Sequence, residues 1–235
     1  MSITYEAGGS VATITLDDGK VNAMVQAFFD ELNGALDRAE KEGPVAVVLA
    51  GRLGYFSAGL NLKVLPTLQP AEFERTMISF GETMLRVFTF PIPTIAAITG
   101  HAIAGGAFLA YACDQRYFAS GPYKIHVNEV AIALPLPTWA LAIAQTAIPQ
   151  RCHVEAILQA RPYNPEEALA RSFVSAVVPP TDSVVTEAQK AAERLGPLDR
   201  PAYAVAKSKM RERDVAWARR NLAAEAKGDR TRAPI

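Results

Sequence analysis

The stretch ITGHAIAGGAFLAYACD, Ile98 to Asp114, decides how the chain folds. It is an apolar strand that runs into a glycine pair and then into an apolar helix. Pro91 and Pro93 punctuate its approach, and the β-branched Thr94, Ile95, Ile98 and Thr99 favour an extended run. Gly105 and Gly106 carry no side chain, so a ligand can come close to the backbone there. The GAFLAYA that follows has no charge on any face and reads as a short buried helix. Its first turn presents unpaired amide N–H groups and the positive end of a helix dipole, which favours negative charge. Taken alone, the stretch reads first as a tight strand-to-helix turn inside a core.

Working outward, the same alternation recurs. Toward the N-terminus, Val45–Ala50 is continuously apolar, as in a strand buried on both faces, and Gly51 to Leu65 (GRLGYFSAGLNLKVL) suits a winding loop after it. That loop lacks the Gly-Lys-Ser/Thr ending of a phosphate loop. Pro70 to Phe88 is a predicted helix with Phe73, Met77, Phe80, Met84 and Leu85 on one face. Further back, Ile3–Tyr5 and Val11–Leu16 form a predicted hairpin around Gly8-Gly9. Asn22 is placed as the N-cap of a helix that carries Val25, Phe28, Phe29, Leu32 and Leu36 to about Lys41, stopped by Gly43-Pro44. Downstream, a strand is expected over Gln115–Ala119, and Tyr123 to Val130 mixes β-prone and polar residues. Helices are expected over Thr138–Ile148, Gln150–Ala160 and Pro165–Ala170, and a strand over Val174–Val178. Helices over Asp182–Leu195 and Pro201–Ala226 follow, with a frayed GDRTRAPI at the end. Buried strands alternating with helices place the chain in the α/β class.

Composition narrows the functions. At 235 residues, half of them hydrophobic, the chain suits one large domain or one domain with a small appendage. Lys+Arg and Asp+Glu number 24 each, so no overall charge draws it to nucleic acid or an anionic membrane. The longest apolar runs, Val45–Ala50 and Ile103–Cys113, are too short to span a bilayer. No secretion signal is expected from MSITYEAGG, and Cys113 and Cys152 form no Cys-x-x-Cys pair, so reduced thiols in the cytoplasm are expected. His101, His126 and His153 show no H-E-x-x-H spacing and no Asp/Glu/His cluster suggests a metal. Ser57 lacks the nucleophile-elbow pattern and reads as loop scaffolding. Asp114 is expected to brace the chain by pairing with an amide or with Arg116.

Two glycine loops, each after a buried strand, can aim N–H groups at one point. On FSAGLNL (Phe56–Leu62), GHAIAGGAFLAYACD (Gly100–Asp114), NEVAIALPLP (Asn128–Pro137) and PEEALARSFVSAVVP (Pro165–Pro179), the chain resembles the crotonase family of enoyl-CoA hydratases and isomerases. The resemblance covers nearly the whole chain. It implies an α/β spiral of ββα units over residues 1–195 that holds an acyl-CoA site, and a C-terminal helical region over 196–235 that packs between subunits of a homotrimer or a dimer of trimers. It implies an acyl-CoA thioester as substrate, with no cofactor beyond the substrate's own CoA. The donors to the enolate oxygen would be the amides of Leu60 and Gly105, and Ala58, Lys63, Phe108, Ile132 and Leu134 would contact substrate.

The same resemblance bears on the chemistry. Hydratases of the family hold a water between two glutamates. The first belongs where this chain has Phe108, and the second aligns with Glu129. A phenyl ring neither orients water nor exchanges a proton, whereas one carboxylate suffices to move a proton along a carbon chain. The NE-x-x-x-x-x-x-P pattern followed by Trp139 also resembles the 3-enoyl to 2-enoyl-CoA isomerases. Hydration with a carboxylate supplied from Glu72, Glu74 or Glu82, or a CoA-thioester binding subunit with little chemistry, stay open as alternatives. Phe108, Ile132 and Leu134 are expected to raise the Glu129 pKa by desolvation. Asn61 is expected to brace its loop. The basic last helix, with Lys207, Lys209, Arg211, Arg213, Arg219 and Arg220 interleaved with acids, reads as a solvated face or subunit contact, where one or two lysines reach a neighbouring subunit's CoA phosphate.

Overall fold

The structure is a computed structural model that describes residues 3–179 and 183–227. An antiparallel hairpin opens it, β1 (Ile3–Gly8) and β2 (Val11–Leu16), and a short β3 (Ala23–Met24) leads into α1 (Gln26–Glu42). The second winding is β4 (Ala46–Gly51), β5 (Gly54–Ser57), β6 (Gly59–Leu60) and α2 (Pro70–Phe88). The third is β7 (Thr94–Ile98), β8 (Gly100–Ile103) and α3 (Gly105–Ala112), and the fourth opens with β9 (Gln115–Ala119) and β10 (Ile125–His126). Helices then dominate: α4 (Thr138–Ala147), α5 (Pro165–Ala170), α6 (Val184–Glu193) and α7 (Arg200–Ala226), with β11 (Ala176–Val178) between α5 and α6.

Each winding contributes to a large sheet and to a smaller layer beside it. The large sheet runs β1-β2-β4-β7-β9-β11 and is parallel beyond the hairpin. The smaller layer is the parallel β10-β8-β5, with β3 and β6 as a separate parallel pair. The alternating pattern gives the α/β class, and the arrangement is the spiral of ββα units that the resemblance implies. The uninterrupted apolar run of β4 follows from the layering. Val47 and Leu49 enter the main core with Ala96 and Ile98, while Ala46, Val48 and Ala50 pack with Ile95 and Ala97 against Val184, Ala188, Ala191 and Ala192 of α6.

Helix ends follow local signals. Gln69 and Glu72 form a capping box with Pro70 in the first turn of α2, and Asn164 and Glu167 form another around Pro165 of α5. Gly43, with φ 65°, ends α1 by donating its N–H to Ala39.

Three expectations are corrected, and a fourth, for Asp114, is narrowed to one of its alternatives. Asn22 is no N-cap: α1 begins after Val25, which makes no side-chain cap bond. Asn22 instead sits at φ 52° and its Nδ2 donates to the carbonyls of Leu16 (2.8 Å) and Phe56 (3.1 Å), tying two windings together. Gln150–Ala160 is no single α-helix but a 3₁₀ turn, Gln150–Cys152, and a π-helical turn, Val154–Leu158. The His153 ring binds the Ile148 carbonyl, and the Gln159 N–H reaches back five residues to Val154, which widens the turn. Asp114 takes the first of its two expected partners, an amide, that of Thr94, and adds α7, while Arg116 donates instead to the carbonyls of Phe173 and Cys113. Lys207 lies on no solvated face; it is buried against Asp114.

The expected strand over 174–178 is confined to Ala176–Val178, and α6 is observed over Val184–Glu193. Asp182 and GDRTRAPI lie outside the described residues. Among the described residues no helix is long and apolar enough to cross a membrane, and no group of three or more His, Cys, Asp or Glu is placed to hold a metal.

Candidate active site

The loop after β5 is fixed to the winding before it. Ser57 Oγ donates to the Asn22 carbonyl (2.7 Å) and accepts the Gly59 N–H (3.1 Å), the scaffolding role expected of it. The Asn61 N–H is taken by the Met24 carbonyl at 2.9 Å, in the two-stranded β3–β6 pairing. Successive amides along a strand point to opposite sides, so the Leu60 N–H turns away from β3, where that pair has no further strand. Asn61 Oδ1 braces the loop by accepting the amides of Lys63 (3.1 Å) and Val64 (3.3 Å).

The second loop turns at Ala104, a non-glycine residue at φ 51° held there by its N–H on the His126 carbonyl (2.8 Å). Gly105 is the first residue of α3, so its amide has no partner within the helix and the helix dipole reinforces it. The two loops touch. A methyl carbon on Gly59, itself at φ 79°, would lie 2.7 Å from the Gly105 nitrogen, and one on Gly105 would lie 3.2 Å from the Gly59 Cα. Side chains at either position would force apart the two backbones that carry the predicted donors.

Glu129 enters from the same edge. β10 pairs with β8 in the register His126↔Ile103, so the chain leaves the sheet beside Ala104 and reaches Glu129 three residues later. A tight turn follows, with Leu134 N–H on the Glu129 carbonyl (2.9 Å) and Ala133 at φ 58°. Glu129 is 8% exposed, and its Oε2 is enclosed with no hydrogen-bond partner. Burial pushes its carboxyl up to about 7, opposed by the backbone amides of Glu129 and Asn128. This is the direction expected from its apolar surroundings.

The remaining predicted contacts divide. Phe108 is buried, its ring edge-on to Trp139 at 5.5 Å, and Trp139 meets Phe80 at 4.6 Å. Phe80 reaches the second loop, its Cζ 2.9 Å from where a Gly105 Cβ would be. The Phe108–Trp139–Phe80 wall therefore stands beside the second predicted donor. Ile132 and Leu134 are half-buried on the Glu129 turn, Ala58 is half-buried in the first loop, and Lys63 is exposed on its rim. His101 is a structural histidine, its Nδ1 accepting the Lys124 amide (3.2 Å). Two of the three alternative acids are engaged elsewhere: Glu72 caps α2 and Glu82 pairs with Arg219 (3.3 Å), while Glu74 is half-buried on α2. A surface groove lined by Arg213, Asp214, Trp217 and Arg220 on α7 holds none of the predicted site residues.

Sequence reasoning placed Phe80 only on an apolar helix face and did not single out Gly81, whose lone lack of a side chain within that apolar run signals a close approach. Glu225, one of the acids interleaved along the basic last helix, belongs by sequence to a solvated face or subunit contact, whereas in the fold it binds the start of α4.

Comparison with known proteins bears on the fold and the family. The enoyl-CoA hydratase/isomerase family profile matches residues 6–230. The human mitochondrial enoyl-CoA delta isomerase 1 is 30% identical over 177 residues, 74% of this chain, which spans only 59% of that protein's length. A Mycobacterium tuberculosis protein, described as an enoyl-CoA isomerase in its apo structure and as a probable enoyl-CoA hydratase in another, superposes in the apo structure with a TM-score of 0.88 at 36% identity, covering 95% of this chain and 98% of that one. An enoyl-CoA hydratase from Mycobacterium marinum superposes with a TM-score of 0.89 at 31% identity, covering 97% and 99%. With its spiral, its two touching glycine loops and its matched length, the chain belongs to the crotonase, or enoyl-CoA hydratase/isomerase, family.

Proposed function

We propose that this chain moves the double bond of a 3-enoyl-CoA to the 2-position. The observation that carries the reading is Glu129: one buried carboxylate with an enclosed, partnerless oxygen and a proton affinity near neutrality. Glu129 takes a proton from C2, and the electron pair of that C–H bond delocalises through the C3–C4 double bond and the thioester into a dienolate. The Leu60 and Gly105 amides receive the negative charge on the thioester oxygen; removing one such donor costs about 2.7–4 kcal/mol in comparable sites. Glu129 then returns the proton to C4, leaving the double bond between C2 and C3. Phe108, Trp139 and Phe80 keep water from the hydrocarbon side of the intermediate, while Ala58, Ile132 and Leu134 contact the acyl thioester and Lys63 the CoA phosphates. CoA belongs to the substrate, and no separate cofactor takes part. A homotrimer or dimer of trimers in the cytoplasm, built on residues 1–195 with the 196–235 helical region between subunits, completes the proposal.

Water addition to 2-enoyl-CoA is the second reading, favoured by the likeness to the M. marinum hydratase. Supplying purified protein with 3-hexenoyl-CoA and crotonyl-CoA in separate reactions decides between them. Conjugation of the first without water uptake by the second is the expected result. Hydration of crotonyl-CoA alone overturns the isomerase reading, and tight binding of both without turnover leaves a binding protein.

A further inference from the structure

The end of the loop that bears Glu129 is held from far away. α4 starts after Pro137, which has no side chain able to cap a helix. The Thr138 N–H is instead taken by both carboxylate oxygens of Glu225 in α7, at 3.1 and 3.0 Å, and the Thr138 hydroxyl donates to the same carboxylate. An acid placed there also meets the positive end of the α4 dipole. The next residue is Trp139, 2% exposed, whose ring joins Phe80 and Phe108 in the wall beside Gly105. α2, α4 and α7 converge at this level: a methyl carbon on Gly81 would lie 2.5 Å from Leu222 and 2.9 Å from Trp139.

The loop's other end is held by the sheet, through β10 on β8 and the mutual Ile125–Tyr163 backbone bonds. Between the two anchors the chain contains Glu129 and the stiffening Pro135 and Pro137. We propose that Glu225 is a positioning residue: from the C-terminal helix it fixes the far end of the base-bearing loop, and with it the Trp139 wall. The proposal rests on the reading of Glu129 as the base. No charged side chain is among the causes that shift Glu129, so its environment is set by enclosure, which is what a loosened loop would lose.

The test uses the full chain with Trp217→Phe, which leaves Trp139 as the sole tryptophan of the two. Glu225→Ala is expected to expose Trp139 to acrylamide and to lower kcat on 3-hexenoyl-CoA by about tenfold or more, since small misplacements at a reacting centre are amplified. The acid limb of the kcat/KM profile moves toward the ordinary carboxylate range as water reaches Glu129. Glu225→Gln keeps an acceptor for the Thr138 donors and restores much of each. Should Glu225→Ala not fold, Thr138→Val, which removes the hydroxyl contact alone, shows the same changes in smaller measure. Unchanged kcat, pH limb and quenching overturn the proposal, even if the melting temperature falls. A parent protein that leaves 3-hexenoyl-CoA untouched would defeat the functional reading instead, and the quenching would still decide the clamp.

Discussion

Two carboxylates shielded from solvent, the half-buried Asp114 and the buried Glu129, are treated in opposite ways by this fold. Asp114, at the end of α3, is saturated: it accepts from the Thr94 amide (2.8 Å), the Tyr203 hydroxyl (2.7 Å), Lys207 (2.7 Å) and Arg211 (2.9 Å). Burial works against its ionisation, but Lys207 and Arg211 outweigh burial and hold the carboxyl below its ordinary range. Glu129 has burial without the cations, and its proton affinity moves up. The first acid is bound so completely that it can only fasten α7 to the sheet. The second is left a free oxygen, which costs stability and leaves a group able to exchange a proton.

The largest expected break in this comparison is Glu129→Gln. Isomerase turnover should fall by about 10²–10⁴, the usual contribution of a general acid–base group. Retention within tenfold would refute the role. The same change should strengthen the fold in alkaline buffer. A carboxyl whose folded pKa lies above its unfolded one stabilises in its protonated form, and that contribution is lost as pH rises from the ordinary glutamate range through about 7. A shift of that order corresponds to about 3 kcal/mol, so urea unfolding at pH 8 should show the variant more stable than the parent, and at pH 4 no more stable.

Asp114→Asn should do the reverse. Lys207, 5% exposed, would be left as a buried charge beside Arg211, at a cost of about 3–5 kcal/mol read from urea midpoints. Adding Lys207→Met should recover a large part of that loss, because the uncompensated charge goes with it; no recovery would mean that Asp114 acts through Tyr203 and Thr94 instead.

The smallest effect sharpens the contrast through pH alone. Asp114 has a depressed folded pKa, so its stabilisation is present above the ordinary aspartate range and lost as pH falls through the folded value. Glu129 opposes it at higher pH. The parent's stability should therefore decline on both sides of a maximum on the acid side of neutrality, while kcat/KM rises through a limb near 7. A rate limb in the ordinary carboxylate range would remove Glu129 from its enclosed setting.

Much of this was legible in the chain because the signals are local. α2 and α5 begin at Pro70 and Pro165, as expected, since proline and the capping boxes lie within four residues of each start. The two-residue strands β3 and β6 carry no periodicity, so Asn22 resembled a helix cap when its carboxamide serves two carbonyls from different windings. Lys207 and Glu225 look like two more surface charges on a basic helix. Their partners, Asp114 and Thr138, stand 93 and 87 residues away, and only the folded path brings them together. The environment of Glu129 was readable from its apolar neighbours, whereas the aromatic wall needed α2 and α4 to be seen side by side.

The meeting of Gly59 with Gly105 has a consequence for how such a protein can change. Functional groups on the main chain belong to no side chain, so ordinary replacements at Leu60 leave the hydrogen in place, and only proline would delete it. The neighbouring glycines are where variation would be punished, because a single added carbon there crowds the β6 loop against the start of α3. Sequence drift can thus change the side chain at Leu60 while the amides beside it stay fixed by shape.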